Sequence, residues 1–166
     1  MIVNPSIIIG PGNWESSSPR IFKTVHEGLK FYTRGVTGYV DVNDVVKAMV
    51  SLMDEGNFEK CKNQRYLLNA ENLSYEEIFN QIADAMSKPA PSVYASSFMV
   101  SVAWRLLAIG SLFSRKTPAI TKEVAAGSSE VNRFDGSKIE NALNFRYTRI
   151  SESIIKTARY FKNGIE

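Results

Sequence analysis

The sequence predicts an α/β fold, rich in helices and with few strands. Two observations carry this. Short unalternating apolar runs, Ile7-Ile8-Ile9 and Tyr66-Leu67-Leu68, read as buried strands of the parallel-sheet kind. Several longer stretches repeat apolar residues at helical spacing behind recognisable start signals. At 166 residues, 44% hydrophobic and 22% charged, the chain fits one domain or one lobe. A chain of this size buries roughly 70% of its unfolded surface.

The elements follow in order. Ile2 and Val3 open an apolar run that continues through Ile9, so a strand buried on both faces is expected, with Pro5 marking an edge or an interruption. Gly10-Pro11-Gly12 stops it, and residues 13–18 form a polar loop holding one aromatic, Trp14. Ser18-Pro19 reads as an N-cap with proline at the first helical position, followed by the stripe Ile21, Phe22, Val25 and Leu29. A short strand centres on residues 38–42. Asn43 or Asp44 can cap the next helix, whose apolar face is read as Val45, Val46, Met49, Val50 and Met53, with Gly56 as its C′ residue.

Residues 61–65 read as a loop before the strand 66–68. Ser74 and Glu77 form a capping box, each satisfying the other's free backbone donor. Ile78, Phe79, Ile82, Ala83 and Met86 follow at helical spacing, and Pro89 and Pro91 end the element. Residues 98–113 are the most apolar segment. They are short for a membrane span and carry Arg105 at their middle, so a buried helix is expected, the alternative being a partner or membrane-surface patch. A short helix over 121–126 closes at Gly127. Another over 137–143 ends at Asn144. Ser151 is read as the cap of the last helix, with Ile150 and Ile155 as a hydrophobic staple and Ile154, Ala158 and Phe161 facing inward.

Charge and composition exclude several function classes. The net charge is +3 and the Lys and Arg residues are dispersed, so no nucleic-acid footprint is expected. One cysteine, Cys61, and one histidine, His26, exclude an intrachain disulfide and the familiar zinc-ligand spacings. Low cysteine use favours a reducing compartment, and the cytoplasm is the expected location. The opening residues do not read as a secretory leader, because they lack a basic region and Pro5 breaks the apolar run.

Few catalytic signatures are present. There is no GxGxxG, no Walker loop, no HExxH and no GxSxG. Ser153-Ile154-Ile155-Lys156 matches SxxK, a spacing that any helix produces by chance. Asp41 and Asp44 are readable as paired carboxylates, but a strand end and a helix N-terminus explain them better. Cys61 stands between Lys60 and Lys62 with no base partner in view. Gly10-Pro11-Gly12 is the better lead, since a glycine turn after a parallel strand stands where α/β proteins bind ligands. Ser16, Ser17 and Ser18 suit a phosphate or ribose, and Trp14 suits a flat ring. A tight turn followed by an N-cap series explains the same residues.

Three segments together resemble a known family. Asn4-Pro5-Ser6-Ile7-Ile8-Ile9-Gly10-Pro11-Gly12 resembles the strand and turn that follow the catalytic segment of extended short-chain dehydrogenases/reductases. Gly38-Tyr39-Val40-Asp41-Val42-Asn43-Asp44-Val45-Val46-Lys47-Ala48 is similar to their F-V-H-V-D-D-V-A-x-A segment, with Asp41 where His is usual. Phe134-Asp135-Gly136-Ser137-Lys138 through Leu143-Asn144-Phe145 is similar to their late D-x-x-K-x-x-x-L-G-F/W segment. The order and intervals fit, and the nearest flavour is the dihydroflavonol-reductase-like and NAD-dependent epimerase/dehydratase group.

The resemblance implies a C-terminal substrate-binding lobe of an extended Rossmann-type reductase, with residues 1–166 as a single lobe and the N-terminal Rossmann half absent. None of the seven tyrosines has a lysine four residues on, so the family's Tyr-x-x-x-Lys pair is missing along with the glycine fingerprint. No catalytic or metal-binding residue is therefore assigned. By resemblance, Pro5 and Ser6 stand at the nicotinamide end of the cofactor, Ser17 and Ser18 near its ribose or a phosphate, and Asn13 and Trp14 at the start of the substrate pocket. The expected whole enzyme moves a hydride between NAD or NADP and a carbonyl or alcohol of a small molecule, as a reductase or an epimerase. The lobe alone is expected to bind no cofactor and to be inactive. The alternative is a stand-alone binding module, self-associating through exposed sheet edges. The start of the chain inside a strand leads to the expectation of a protein about twice this length.

Overall fold

The structure is a computed structural model that describes residues 1–96, 98–99, 102, 127 and 129–164. The expected segments 98–113 and 121–126 fall mostly outside that range.

The α/β class holds. In chain order the described elements are β1 (Ile2–Pro5), β2 (Ile7–Ile9), α1 (Pro19–His26), β3 (Phe31–Tyr32), β4 (Val36–Asp41), α2 (Val42–Met53) and α3 (Glu55–Cys61). They continue with β5 (Arg65–Leu68), β6 (Glu71–Ser74), α4 (Tyr75–Met86), β7 (Val93–Tyr94), α5 (Ser137–Leu143) and α6 (Ile150–Asn163). The opening run does not form one strand. β1 pairs in parallel with β5, and after Ser6 the chain changes partner, so that β2 pairs in parallel with β4. β6 joins the other edge of β4, antiparallel, and β3 and β7 form a separate short parallel pair.

Burial of the opening run differs from expectation. Ile9 is buried, but Ile2 is 52% exposed, because β1 has β5 as its single sheet neighbour among the described residues. The strand buried on both faces is β4. Its alternation sends Tyr39 into a core with Ile9, Phe22, Ile82 and Phe161, and Val40 into a second core with Leu52, Tyr66, Leu68 and Ile139. Helices α1, α4 and α6 cover the first core, while α2, α3 and α5 contribute to the second.

Several local expectations hold. Pro19 opens α1, the Ser74–Glu77 capping box closes the start of α4, and Asn144 ends α5 in the left-handed region at φ 49°. Ile154, Ala158 and Phe161 face inward on α6.

Four capping assignments are corrected. Ser18 is itself in helical conformation and places no side-chain cap on α1. Asp41, not Asn43 or Asp44, caps α2, accepting a 2.7 Å hydrogen bond from the Asn43 N–H. Gly56 is not a terminator. Asp54 ends α2 and starts α3, its carboxylate accepting from the Gly56 N–H at 3.0 Å, so Cys61 is the buried end of a helix. The last helix begins one residue before Ser151. Its Ile150 N–H donates to the Glu71 carboxylate of β6 at 3.1 Å, a cap supplied from a distant strand. Ile155 is exposed, so no staple forms with Ile150.

The inner face of α2 is also different from the expected one. Asp44, Val45, Ala48 and Leu52 are buried, whereas Val46, Met49, Val50 and Met53 face outward.

Candidate functional site

The carboxyl ends of β2 and β4 bring together the start of loop 10–18 and the start of α2. Gly10 follows β2 where nothing larger fits. A β-carbon there would stand 2.4 Å from the Val42 side chain, so the glycine lets the first residue of α2 close on the loop. Around it lies a cavity of about 210 Å³ lined by Gly10, Pro11, Asp41, Val42, Asn43, Lys156, Thr157 and Tyr160.

Pro5 ends β1 and is exposed. Ser6 donates its N–H to the Leu68 carbonyl at 2.9 Å, and its buried hydroxyl has no hydrogen-bond partner among the described residues. Ser18 donates its hydroxyl to the Ile8 carbonyl at 2.5 Å, which ties the loop to β2. Ser17 is exposed and sits in the left-handed region at φ 56°. Ser6 is thus held at the β1–β2 switch by Leu68, and Ser18 is tied to β2 through Ile8.

Asn13 is exposed and shapes the loop itself. Its side-chain oxygen accepts from the Glu15 N–H at 3.0 Å, and its carbonyl accepts from the Ser16 N–H at 3.1 Å. Glu15 in turn pairs with Lys23 of α1, and that hydrogen bond raises the Lys23 pKa. Trp14 is half-buried. Its ring meets Phe161 edge-on at 4.9 Å and Phe22 at 6.3 Å, so it roofs the first core.

The two aspartates act as ties. Asp41 accepts a 2.5 Å hydrogen bond from the Ser153 hydroxyl besides capping α2. Asp44, fully buried, accepts from the Thr148 N–H at 2.6 Å and the Thr148 hydroxyl at 3.1 Å. Each carboxylate is held by donors of the α5–α6 connection or of α6, which matches the fold-supporting reading of the segment. Among the described residues no group of three or more His, Cys, Asp or Glu is placed to hold a metal ion.

The late motif is anchored in the same way. The Phe134 carbonyl accepts from Asn69 at 3.0 Å and Asn72 at 2.9 Å, and Lys138 donates to the Arg65 carbonyl and to Gln64, both at 3.0 Å. Gly136 lies so close to Asn69 that a β-carbon would stand 2.1 Å from its backbone oxygen.

One surface escaped the sequence reading. β3 and β7 set Tyr32 beside Tyr94 at 5.9 Å, and the Arg34 guanidinium lies 4.7 Å above the Tyr94 ring. Phe31 and Tyr94 are exposed. A half-open aromatic platform with a cation is suited to a planar ring. The only signal was the β-favouring pair Val93-Tyr94 after two prolines.

No family model matches the chain. A protein of Synechocystis sp. provisionally named dihydroflavonol 4-reductase is 23% identical over 168 residues, covering 98% of this chain and 48% of that protein. A nucleoside-diphosphate-sugar epimerase from Pseudomonas aeruginosa superposes with a TM-score of 0.71 at 21% identity, over 98% of this chain and 48% of the epimerase. The Candida albicans protein Gre2, solved in complex with NADPH, gives 0.61 at 24% identity, over 99% and 44%. The chain has the fold of half such a subunit. The resemblance read from the three motifs therefore stands, and the chain spans about half the length of the relatives it matches. No described helix is long and apolar enough to cross a membrane.

Proposed function

We propose that this chain is the substrate-binding portion of an NAD(P)-dependent oxidoreductase or epimerase that transfers a hydride to or from a carbonyl or alcohol carbon. The observation that carries this reading is the match of nearly the whole chain to less than half of a protein solved with NADPH. Loop 10–18 supports it by standing beyond the carboxyl ends of parallel strands, where α/β proteins take their ligands.

Pro5 and Ser6 wall the nicotinamide end, and the unpartnered Ser6 hydroxyl supplies a polar contact there. Ser17 faces the ribose or a phosphate, and Ser18 fixes the loop through Ile8. Asn13 and Trp14 shape the entrance of the substrate pocket. When bound, the nicotinamide supplies the hydride chemistry. This chain contributes shape and orientation. The acid–base pair comes from the remaining half, so the lobe alone is inactive.

Titration of the purified chain with NADH and NADPH tests this division. No saturable binding below the millimolar range is expected, and micromolar binding by the chain alone overturns it. Joined behind the unmatched half of the Synechocystis relative, the chain is expected to complete an NADPH-binding protein. A folded fusion that binds neither nucleotide overturns the reading.

A further inference from the structure

The connection between α5 and α6 borders a cavity that shares no lining residue with the one beside Gly10. Its volume is about 360 Å³. Small-molecule sites run from roughly 300 to 1,000 Å³. Four charged residues line it: Arg146 and Arg149 from the connection, Glu140 from α5 and Glu71 from β6. None of the four forms an ion pair among the described residues. Opposite charges that border one cavity without meeting keep their pairing capacity for something placed between them.

The main chain under the two arginines is fixed. Tyr147 donates its hydroxyl to the Gly136 carbonyl at 3.2 Å and sets its ring edge-on against Phe145. Thr148 is held by Asp44 through both its N–H and its hydroxyl. The Arg149 carbonyl accepts from the N–H groups of Glu152 and Ser153 at 3.1 and 3.2 Å, and the next N–H, of Ile150, donates to Glu71. The side chains of Arg146 and Arg149 are exposed and make no hydrogen bond among the described residues. A held backbone with free cationic ends leaves only side-chain order to impose on binding.

Guanidinium groups three residues apart suit a carboxylate or a phosphate. The two glutamates decide between ligand classes. A polyanion laid on the arginines would stand beside Glu71 and Glu140 with nothing to offset them, and a simple cation would meet the arginines. Glu71 spends one oxygen, Oε1, on the Ile150 N–H and keeps Oε2 open, while Glu140 is half-buried. A small molecule carrying one carboxylate and one ammonium satisfies all four charges.

We propose that this cavity binds a free α-amino acid, its carboxylate on Arg146 and Arg149 and its ammonium on Glu140 and the open oxygen of Glu71. The site is separate from the loop 10–18 and needs no nucleotide.

Calorimetric titration of the whole chain with L-alanine and L-glutamine tests it, with propionate and ethylamine as the analogues of alanine that lack one charge each. Saturable, one-to-one binding of at least one amino acid in the millimolar range or tighter is expected. Propionate and ethylamine are expected to bind more weakly by about tenfold or more, the equivalent of one lost charge-assisted hydrogen bond. Arg146→Gln/Arg149→Gln is expected to weaken the amino acid by a similar factor, with the unfolding midpoint of the unliganded chain unchanged because both side chains are exposed. Should the double variant lose its fold, Arg146→Gln alone carries the same expectation. Glu140→Gln is expected to narrow the preference for alanine over propionate. A bound amino acid is expected to slow amide exchange over residues 146–150.

No saturation with either amino acid overturns the proposal. Propionate binding as tightly as alanine overturns it as well, by reducing the site to an anion contact of the arginines. So does binding that the arginine substitutions leave intact, which would place the amino acid elsewhere on the chain.

Discussion

The Ser153 hydroxyl donates a 2.5 Å hydrogen bond to the Asp41 carboxylate, across 112 residues of sequence and between two buried side chains. The bond joins the end of β4 to the first turn of α6 beside the candidate cavity. Ser153→Ala removes the donor and leaves a buried carboxylate oxygen unmatched. A cost of about 1–3 kcal/mol is expected. For a chain of this length each kcal/mol lowers the Tm by roughly 2–4 °C. Urea unfolding of the variant measures it, and a midpoint equal to the parent's would show that the bond adds no stability.

Asp44 and Thr148 make a second long-range tie, with two donors of one residue on one carboxylate. Asp44→Ala strips both and abandons the backbone N–H of Thr148. A double-mutant cycle with Thr148→Val isolates the hydroxyl's share. A coupling energy of roughly 0.5–3 kcal/mol is expected for residues in direct contact. Strict additivity would mean that the backbone N–H carries the whole interaction.

These ties explain what was and was not legible in the sequence. The capping box at Ser74 was legible because both partners lie within three residues of each other. Asn144 was legible because αL termination is a local backbone property. The cap of α6 was not, since Glu71 reaches Ile150 from another strand and no local pattern encodes it. The apolar face of α2 was misread for a related reason. Periodicity locates two stripes on that helix, and only the sheet position decides which is buried. Strand β6 was missed because Glu71-Asn72-Leu73-Ser74 has no strand-like composition and forms by pairing with β4. For the candidate site, the order of motifs pointed to Ser6 and loop 10–18. It did not reveal the bond between Ser18 and Ile8, or the aromatic platform across β3 and β7, which depend on tertiary approach.

Burial raises the pKa values of four tyrosines, Tyr39, Tyr66, Tyr75 and Tyr147, and so shapes the response to alkali. Burial, with a smaller contribution from the Cys61 thiol, raises Tyr66 from 10.0 to about 12. Burial raises Tyr147 to about 12 as well. Both folded-state values lie above the unfolded one, so the folded chain prefers the neutral phenols. Their contribution to stability is complete below about pH 10 and is lost as the pH rises through 12. Denaturation followed across this window is expected to show a falling midpoint, with a shallower fall in Tyr147→Phe. Glu77 behaves oppositely. Hydrogen bonds from the Ser74 backbone and hydroxyl lower its pKa. Its contribution is present above the unfolded value of about 4.3 and fades as the pH drops through the folded one. The stability gap between the parent and Glu77→Gln is therefore expected to shrink in acid.

Gly136→Ala tests the anchoring of the late motif. The new methyl group would fall 2.1 Å from the Asn69 carbonyl oxygen, and that neighbour is backbone, which cannot swing aside. Overpacking of this kind costs typically about 1–3 kcal/mol. Gly10→Ala meets the Val42 side chain instead, at the head of α2. A cost in the same range is expected there, together with a shift of the loop that amide exchange at residues 10–18 would register. A Gly136→Ala chain as stable as the parent would mean that the β5–β6 connection is free to move.

Trp14 separates a packing role from a ligand-facing one. Its ring is stacked edge-on against Phe161 and near Phe22, yet the residue is only half-buried and sits in the candidate loop. Full truncation of a buried aromatic costs about 3–5 kcal/mol, and partial exposure reduces that here to about 2 kcal/mol. Trp14→Phe keeps an apolar ring on Phe161 and is expected to recover most of the loss. If the exposed edge of the indole also lines the substrate entrance, then in the completed protein Trp14→Phe raises the substrate KM while leaving the unfolding midpoint nearly in place. A variant that changes stability and KM together, in proportion, assigns Trp14 to the core alone.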